Sequence, residues 1–345
     1  ASAAFLLAPV LVQAQPSLAT PAFLQVTVYP QTEVFSIVDY LGRGKRDISV
    51  PSDYKTSVEA HFRKYEQQPV VKFWQTLQKK YNLLPGEAGA RFSVAEGRFL
   101  LSPASLPATP ATSKNLMTPA EWKTLEELVN NFAAASGYSD FHKNNRARYQ
   151  QWEQALQMAI DKGGYFNKLS AFAGREKNFG LHPDPLNAWG PYHVTPENKT
   201  DAQHFALLVW GYHKSKLAGP DTPPVFTDSA MLNNTLWHEM AHTYINPLVA
   251  QHAAGIKNLP AAEKVRRNAS RYYELLADVA ISELLVRGMV ASLARQHSGD
   301  AAAEKEIARQ LRTFGYDIAK TEELFTQHYL KNRSKYPTLE SFFPV

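Results

Sequence analysis

The sequence predicts an α+β chain, mostly helical, with a small mixed sheet ahead of one central helix and a helical C-terminal part. Three observations carry this. Trp237, Met240, Ala241, Tyr244, Ile245 and Leu248 recur at helical spacing in one long run. Stretches suited to strands are few, and nearly all precede that run. After Pro260 every strong pattern is helical.

Taken in order, Leu24-Gln25-Val26-Thr27-Val28 alternates as a strand does, and 33–41 follows as a short helix. Helices are predicted over 57–65 and 71–81, the second from Phe73, Leu77 and Tyr81 at a spacing of four. Residues 90–101 suit a hairpin turning at Ala95-Glu96-Gly97-Arg98. Pro103, Pro107, Pro110 and Pro119 stand among Ser, Thr and Ala in a linker. That linker divides an N-terminal α/β part, 15–118, from a C-terminal part, 119–345, unless 15–345 is one continuous domain. Residues 119–135 and 144–161 read as helices, 203–212 as an apolar strand, and 260–288, 300–313 and 320–332 as helices. The central helix is expected to start at Thr227 or Asp228 and to stop at Asn246-Pro247, about 15 to 18 residues in all.

Composition narrows the function. The chain has 345 residues, 44% of them apolar, enough for a substantial core. The net charge of +5 is spread along the chain without a dense Lys/Arg run, which argues against nucleic acid. The absence of cysteine excludes disulfides, thiol catalysis and cysteine-ligated zinc. His and carboxylates remain as strong ligands. Residues 1–14 form an apolar run ending in Val12-Gln13-Ala14, a small-residue cleavage pattern, and read as the remnant of a signal peptide. This places the mature protein in the periplasm or outside the cell. The run is short and holds Pro9, so no stable membrane insertion is expected. The competing reading is a hydrophobic packing arm.

The central helix carries His238-Glu239-Met240-Ala241-His242, an H-E-x-x-H sequence. Histidines four apart on a helix point from one face toward one place, and neutral imidazole is a good zinc ligand. Glu239, one step round, can stand beside the metal and take a proton from water. A catalytic zinc ion wants a third protein ligand. Glu274 and Asp278 share a helical face that Ile281 and Leu285 continue. Two unpaired buried carboxylates are costly, and a cation removes the cost. Glu274 is therefore the expected third ligand and Asp278 the expected partner of a ligand histidine. Glu283 is the fallback, ranked lower because position 287 holds Arg rather than an acid. His61, His182, His193, His204, His213 and His252 are each expected to be ordinary satisfied or exposed histidines.

H-E-x-x-H followed some thirty residues later by E-x-x-x-D resembles the gluzincin class of zinc metallopeptidases, through His238, Glu239, His242, Glu274 and Asp278. The run H-T-Y-I-N-P and the early segment 28–41, from Val28-Tyr29-Pro30 to Asp39-Tyr40-Leu41, also resemble a family of exported bacterial proteins with a zincin-like domain. The first resemblance implies a zincin-like C-terminal part and hydrolysis of peptide bonds in a peptide or protein substrate, with Zn2+ as cofactor. It also implies an edge strand along the cleft, in 181–194 or 203–212, and a Tyr or His donor to the oxyanion. His328 and Tyr329 rank first for that donor, ahead of Tyr272 and Tyr273. Three other readings compete: a zincin-like protein that binds peptide or cell-wall ligands without catalysis, a structural zinc site, and a metal-free helical interaction protein. Glu239 argues against the first, because metal binding alone does not need it. Oligomeric state is left open.

Overall fold

The computed structural model describes residues 24–44, 52–102, 117–188, 190–194, 205–211, 229–257 and 277–343, with backbone alone for 205–211, 229–234, 256–257 and 277–278. The apolar N-terminal run lies outside the described residues.

The elements are β1 (Leu24–Val26), α1 (Pro30–Arg43), α2 (Asp53–Phe62), α3 (Pro69–Tyr81), α4 (Pro85–Gly89), β2 (Phe92–Ala95), β3 (Arg98–Leu101), α5 (Pro119–Ser136), α6 (Tyr138–Asn144) and α7 (Arg146–Gly163). There follow α8 (Tyr165–Ala173), β4 (Asn178–Asp184), β5 (Tyr192–Val194), β6 (Phe205–Gly211), α9 (Ser229–Gln251) and α10 (Ala253–Lys257). The chain ends with α11 (Ala277–Ser298), α12 (Asp300–Phe314), α13 (Ala319–Glu323) and α14 (Leu339–Phe342), with a π-helical stretch, Leu324–Tyr329, directly after α13. The fold is α+β and mostly helical, as the sequence predicts.

Local chemistry accounts for the boundaries. Proline at the first helical position starts α1, α3, α4 and α5. Thr118 and Glu121 close a capping box on α5, and Gly137, at φ 65°, ends it. The β2–β3 turn falls on Glu96 and Gly97, both at positive φ, which a tight hairpin requires.

The four-stranded sheet has the order β1-β4-β6-β5. β1 and β6 flank β4 in parallel, whereas β5 runs antiparallel to β6, with His193 opposite Leu208. All described strands precede α9. β5, from the segment 181–194, is an edge strand of this sheet.

Among the described residues two large apolar cores form, beside a small cluster of Ala280, Ala291, Tyr316 and Ile318. One gathers Phe35, Phe62, Trp74, Phe99, Phe132 and Tyr149. The other gathers Phe172, Phe179, Trp237, Tyr244, Phe325 and Tyr329. They part within α7, where Tyr149 and Trp152 face the first and Leu156 and Ile160 the second. The linker at 102–119 is therefore not where the cores divide, because Trp122, Leu125 and Val129 of α5 pack in the first core. Each fully buried aromatic contributes on the order of 2–3 kcal/mol.

α9 differs from expectation. It runs 23 residues and passes through Asn246-Pro247 to Gln251. Pro247 has no N–H to give the carbonyl of Thr243. Lys177 supplies the missing donor, its Nζ standing 2.6 Å from that oxygen. Pro247 itself is exposed. α11 likewise continues past Gly288 to Ser298. That glycine sits where a Cβ would lie 2.4 Å from Cγ2 of Thr321. It permits close approach of two helices and does not end one.

Candidate metal centre

One face of α9 is buried through Leu236, Trp237, Met240, Ala241, Tyr244 and Ile245, and this face anchors the helix in the second core. The next face carries His238, Glu239, His242 and Asn246, which turn toward α11 and β5. The Nε2 atoms of His238 and His242 stand 3.2 Å apart. Glu283 of α11 closes a triangle, with Oε1 3.4 Å from His242 Nε2 and Oε2 3.6 Å from His238 Nε2. His238, His242 and Glu283 thus form a group able to hold a metal ion. A second such group, His193, Glu239 and His242, overlaps it.

Glu283 has its own orienting partner. Arg287, one turn on, donates from one guanidinium nitrogen to Glu283 Oε2 at 2.7 Å and from another to Gln310 Oε1 at 2.6 Å. Its guanidinium also packs over the rings of Phe314 and Tyr316. The residue that lowered Glu283 in the sequence ranking is the one that holds it in place.

The charge states of His238 and Glu283 suit ligands. Burial pushes His238 down to about 4, so the ring is neutral. Burial also pushes Glu283 up, but the hydrogen bond from His242 and the charges of the histidines and Arg287 outweigh it. The carboxyl stays well below its usual range. Glu239 follows the same pattern: burial is outweighed chiefly by the hydrogen bond from His193, and the group is held ionised. His242 is raised, since the carboxylate of Glu283 overcomes the cost of its burial.

His193 of β5 completes one wall. Its ring stacks on His242 with centroids 4.5 Å apart and planes 12° from parallel. Its Nδ1 is 3.4 Å from Glu239 Oε2. Asn246 reaches both histidines, with Oδ1 3.1 Å from His242 Nδ1 and Nδ2 3.4 Å from His193 Nε2.

The other candidates fall elsewhere. Glu274, Tyr272, Tyr273, His204, His213 and the side chain of Asp278 lie outside the described residues. Among the described residues, Glu283 is the acid beside the two histidines. His328 and Tyr329 are not brought to the site. Tyr329 is fully buried in the second core and donates its hydroxyl to the carbonyl of Phe172 at 2.8 Å, while Arg333 donates to that hydroxyl. His328 is exposed on the π-helical stretch. His182 is buried and accepts from the Tyr29 N–H at 3.0 Å through Nδ1, a structural histidine as expected. His252 lies beside the ring of Phe343, and His61 bonds the carbonyl of Ser136.

Sequence reasoning missed His193, Asn246 and Arg287. A lone histidine in a Gly- and Pro-containing stretch gives no spacing to detect. Asn246 did leave a signal, because 238, 242 and 246 continue one helical row.

The profile of a family described as a domain of unknown function, DUF4932, matches residues 50–345. The chain belongs to the DUF4932 family. The DUF4932 match takes in β5, α9 and α11, hence every residue of this centre, and begins after α1. No curated protein and no solved structure matches the chain.

Proposed function

We propose that this DUF4932 protein is a zinc-dependent hydrolase that cleaves peptide bonds, with His238, His242 and Glu283 holding the metal and Glu239 acting as general base. The observation that carries the reading is the triangle of His238, His242 and Glu283. The two Nε2 atoms are 3.2 Å apart, and the Glu283 carboxylate sets Oε1 3.4 Å from His242 and Oε2 3.6 Å from His238. Ligand atoms about 2.1 Å from a tetrahedral ion stand about 3.4 Å from one another, so groups spaced in this way can share one ion. Two imidazoles and one carboxylate are also the ligand chemistry of many catalytic zinc sites. Where zinc is bound, it supplies Lewis acidity and makes water nucleophilic near neutral pH.

The protein groups have separate tasks. Glu239 is not needed for the triangle, is held ionised, and lies on the same helical face. It can take a proton from the attacking water and pass it to the leaving amine. β5, an edge strand beside α9, offers main-chain groups to an extended peptide. The resemblance to gluzincins, built on His238, Glu239 and His242, supports a peptide substrate. The small-residue pattern at Val12-Gln13-Ala14 supports an exported protein.

Elemental analysis of protein purified without added metal tests the reading. One zinc per chain is expected, lost in Glu283→Ala and kept in Glu274→Ala. A wild type that takes up no zinc even when zinc is offered overturns it. Loss of zinc in Glu274→Ala with retention in Glu283→Ala moves the third ligand to Glu274. With zinc established, Glu239→Gln is expected to keep the metal and to lose turnover in a peptide-library screen.

A further inference from the structure

Asn246 lies between two histidines, and its amide constrains both. Oδ1 can only accept, so at His242 the hydrogen must sit on Nδ1. With that hydrogen on Nδ1, His242 Nε2, which faces His238 and Glu283, is freed for a metal once the proton it shares with Glu283 is lost. Nδ2 can only donate, so His193 accepts through Nε2 and carries its own hydrogen on Nδ1. His193 Nδ1 in turn faces Glu239 Oε2, an acceptor. One assignment of protons satisfies all three contacts, and it runs in one direction: His242 to Asn246 to His193 to Glu239.

We propose that Asn246 is a positioning residue for the centre. It fixes His242 in the tautomer that can bind a metal, and through His193 it orients the carboxylate of Glu239. The metal ligand and the base are members of one hydrogen-bonded row across α9 and β5. Pro247 belongs to the same arrangement. Because Lys177 donates to the carbonyl that Pro247 leaves free, the helix continues through this point and Asn246 stays in register with His242. The proposal rests on the zinc reading for its affinity test only.

Two measurements test it. The first is imidazole nitrogen NMR of the wild-type, metal-free protein at alkaline pH, where both histidines are neutral. His242 and His193 are both expected to carry their hydrogen on Nδ1. A hydrogen on Nε2 of either overturns the proposal. The second is zinc affinity by chelator competition. Asn246→Leu, of similar size but unable to accept, is expected to bind zinc about 10- to 100-fold more weakly. Asn246→Asp keeps the acceptor toward His242 and is expected to bind within a few fold of wild type or tighter. Equal affinity in Asn246→Leu, or a loss in Asn246→Asp as large as in Asn246→Leu, overturns it. A wild type without zinc sinks the metal reading, while the tautomer measurement still decides this one.

Discussion

Lys177 Nζ lies 2.6 Å from the backbone carbonyl of Thr243, the oxygen that Pro247 leaves without an intrahelical donor. The ammonium also sits 4.7 Å from the centroid of the Tyr244 ring. The only proline in α9 is thus compensated from a neighbouring segment, and the helix stays continuous beneath the candidate site.

Removing that donor should be felt. Lys177→Met leaves a backbone acceptor without its charged partner and is expected to cost about 1–3 kcal/mol in urea unfolding. Lys177→Arg should recover most of it. A Lys177→Met protein as stable as wild type would show that solvent serves the carbonyl equally well.

Arg287 and Glu283 form a buried ion pair, each less than one-tenth exposed. Cutting one member of such a pair leaves an uncompensated charge and costs about 3–5 kcal/mol. Arg287→Met is expected to lose stability on that scale and to hold zinc less well, because Glu283 loses the group that aims it. Arg287→Lys should restore part of the stability without the second bond to Gln310. Unchanged unfolding in Arg287→Met would mean that His242 alone balances Glu283.

Gly288→Ala sets two effects against each other. Alanine gains about 1 kcal/mol in helix propensity. A Cβ there falls 2.4 Å from Thr321 Cγ2 and 2.7 Å from its Cβ, so the helices must separate. Overpacking of this kind costs about 1–3 kcal/mol, and net destabilisation is expected. Thr321→Ser, which removes the nearest atom, should recover part of the loss. A Gly288→Ala protein with a raised melting temperature would refute the close approach.

The acid limb of the stability profile should depend on Glu121. Burial pushes its carboxyl up, but the Thr118 N–H, Lys80, Tyr81 and the Thr118 hydroxyl together hold it at about 2. The folded value is depressed, so the group's contribution is full above the ordinary carboxylate range. It fades as pH falls from about 4.5 toward 2. With the carboxylate about one-fifth exposed, that contribution is on the order of 1–2 kcal/mol after screening. Glu121→Gln should lower stability at neutral pH and flatten the profile between those limits. An unchanged acid limb would assign it to other groups, Glu33 among them.

Local chemistry was legible in the sequence. The Glu96-Gly97 turn and the amphipathic face of α9 each act within a few residues, and the structure places them as read. The helix stop at Asn246-Pro247 was misread because its remedy, Lys177, lies far away in sequence. Gly288 was taken for a terminus because its neighbour Thr321 is equally remote. Within the site, His238, Glu239 and His242 share one helix and were found together. His193 comes from a strand whose pairing no spacing reveals. Glu283 was ranked down by a rule about acids four residues on, and the side chain actually four residues on is the arginine that holds it.

Tyr192, next to His193, accepts from the Gly86 N–H of α4 through its hydroxyl at 2.7 Å. Ser36 and Arg43 of α1 hold the preceding turn through Asp184 and the carbonyl of Leu186. The wall bearing His193 is therefore borrowed from the first core, whereas His238, His242 and Glu283 belong to the second. Occupancy of the candidate centre and the folding equilibrium of the first core become linked functions in the thermodynamic sense. A ligand that leans on β5 draws part of its affinity from that core's integrity and returns it as protection against unfolding. Substitutions around Phe35 or Trp74, remote from every candidate ligand, should weaken such a ligand by the fraction of chains whose first core is open.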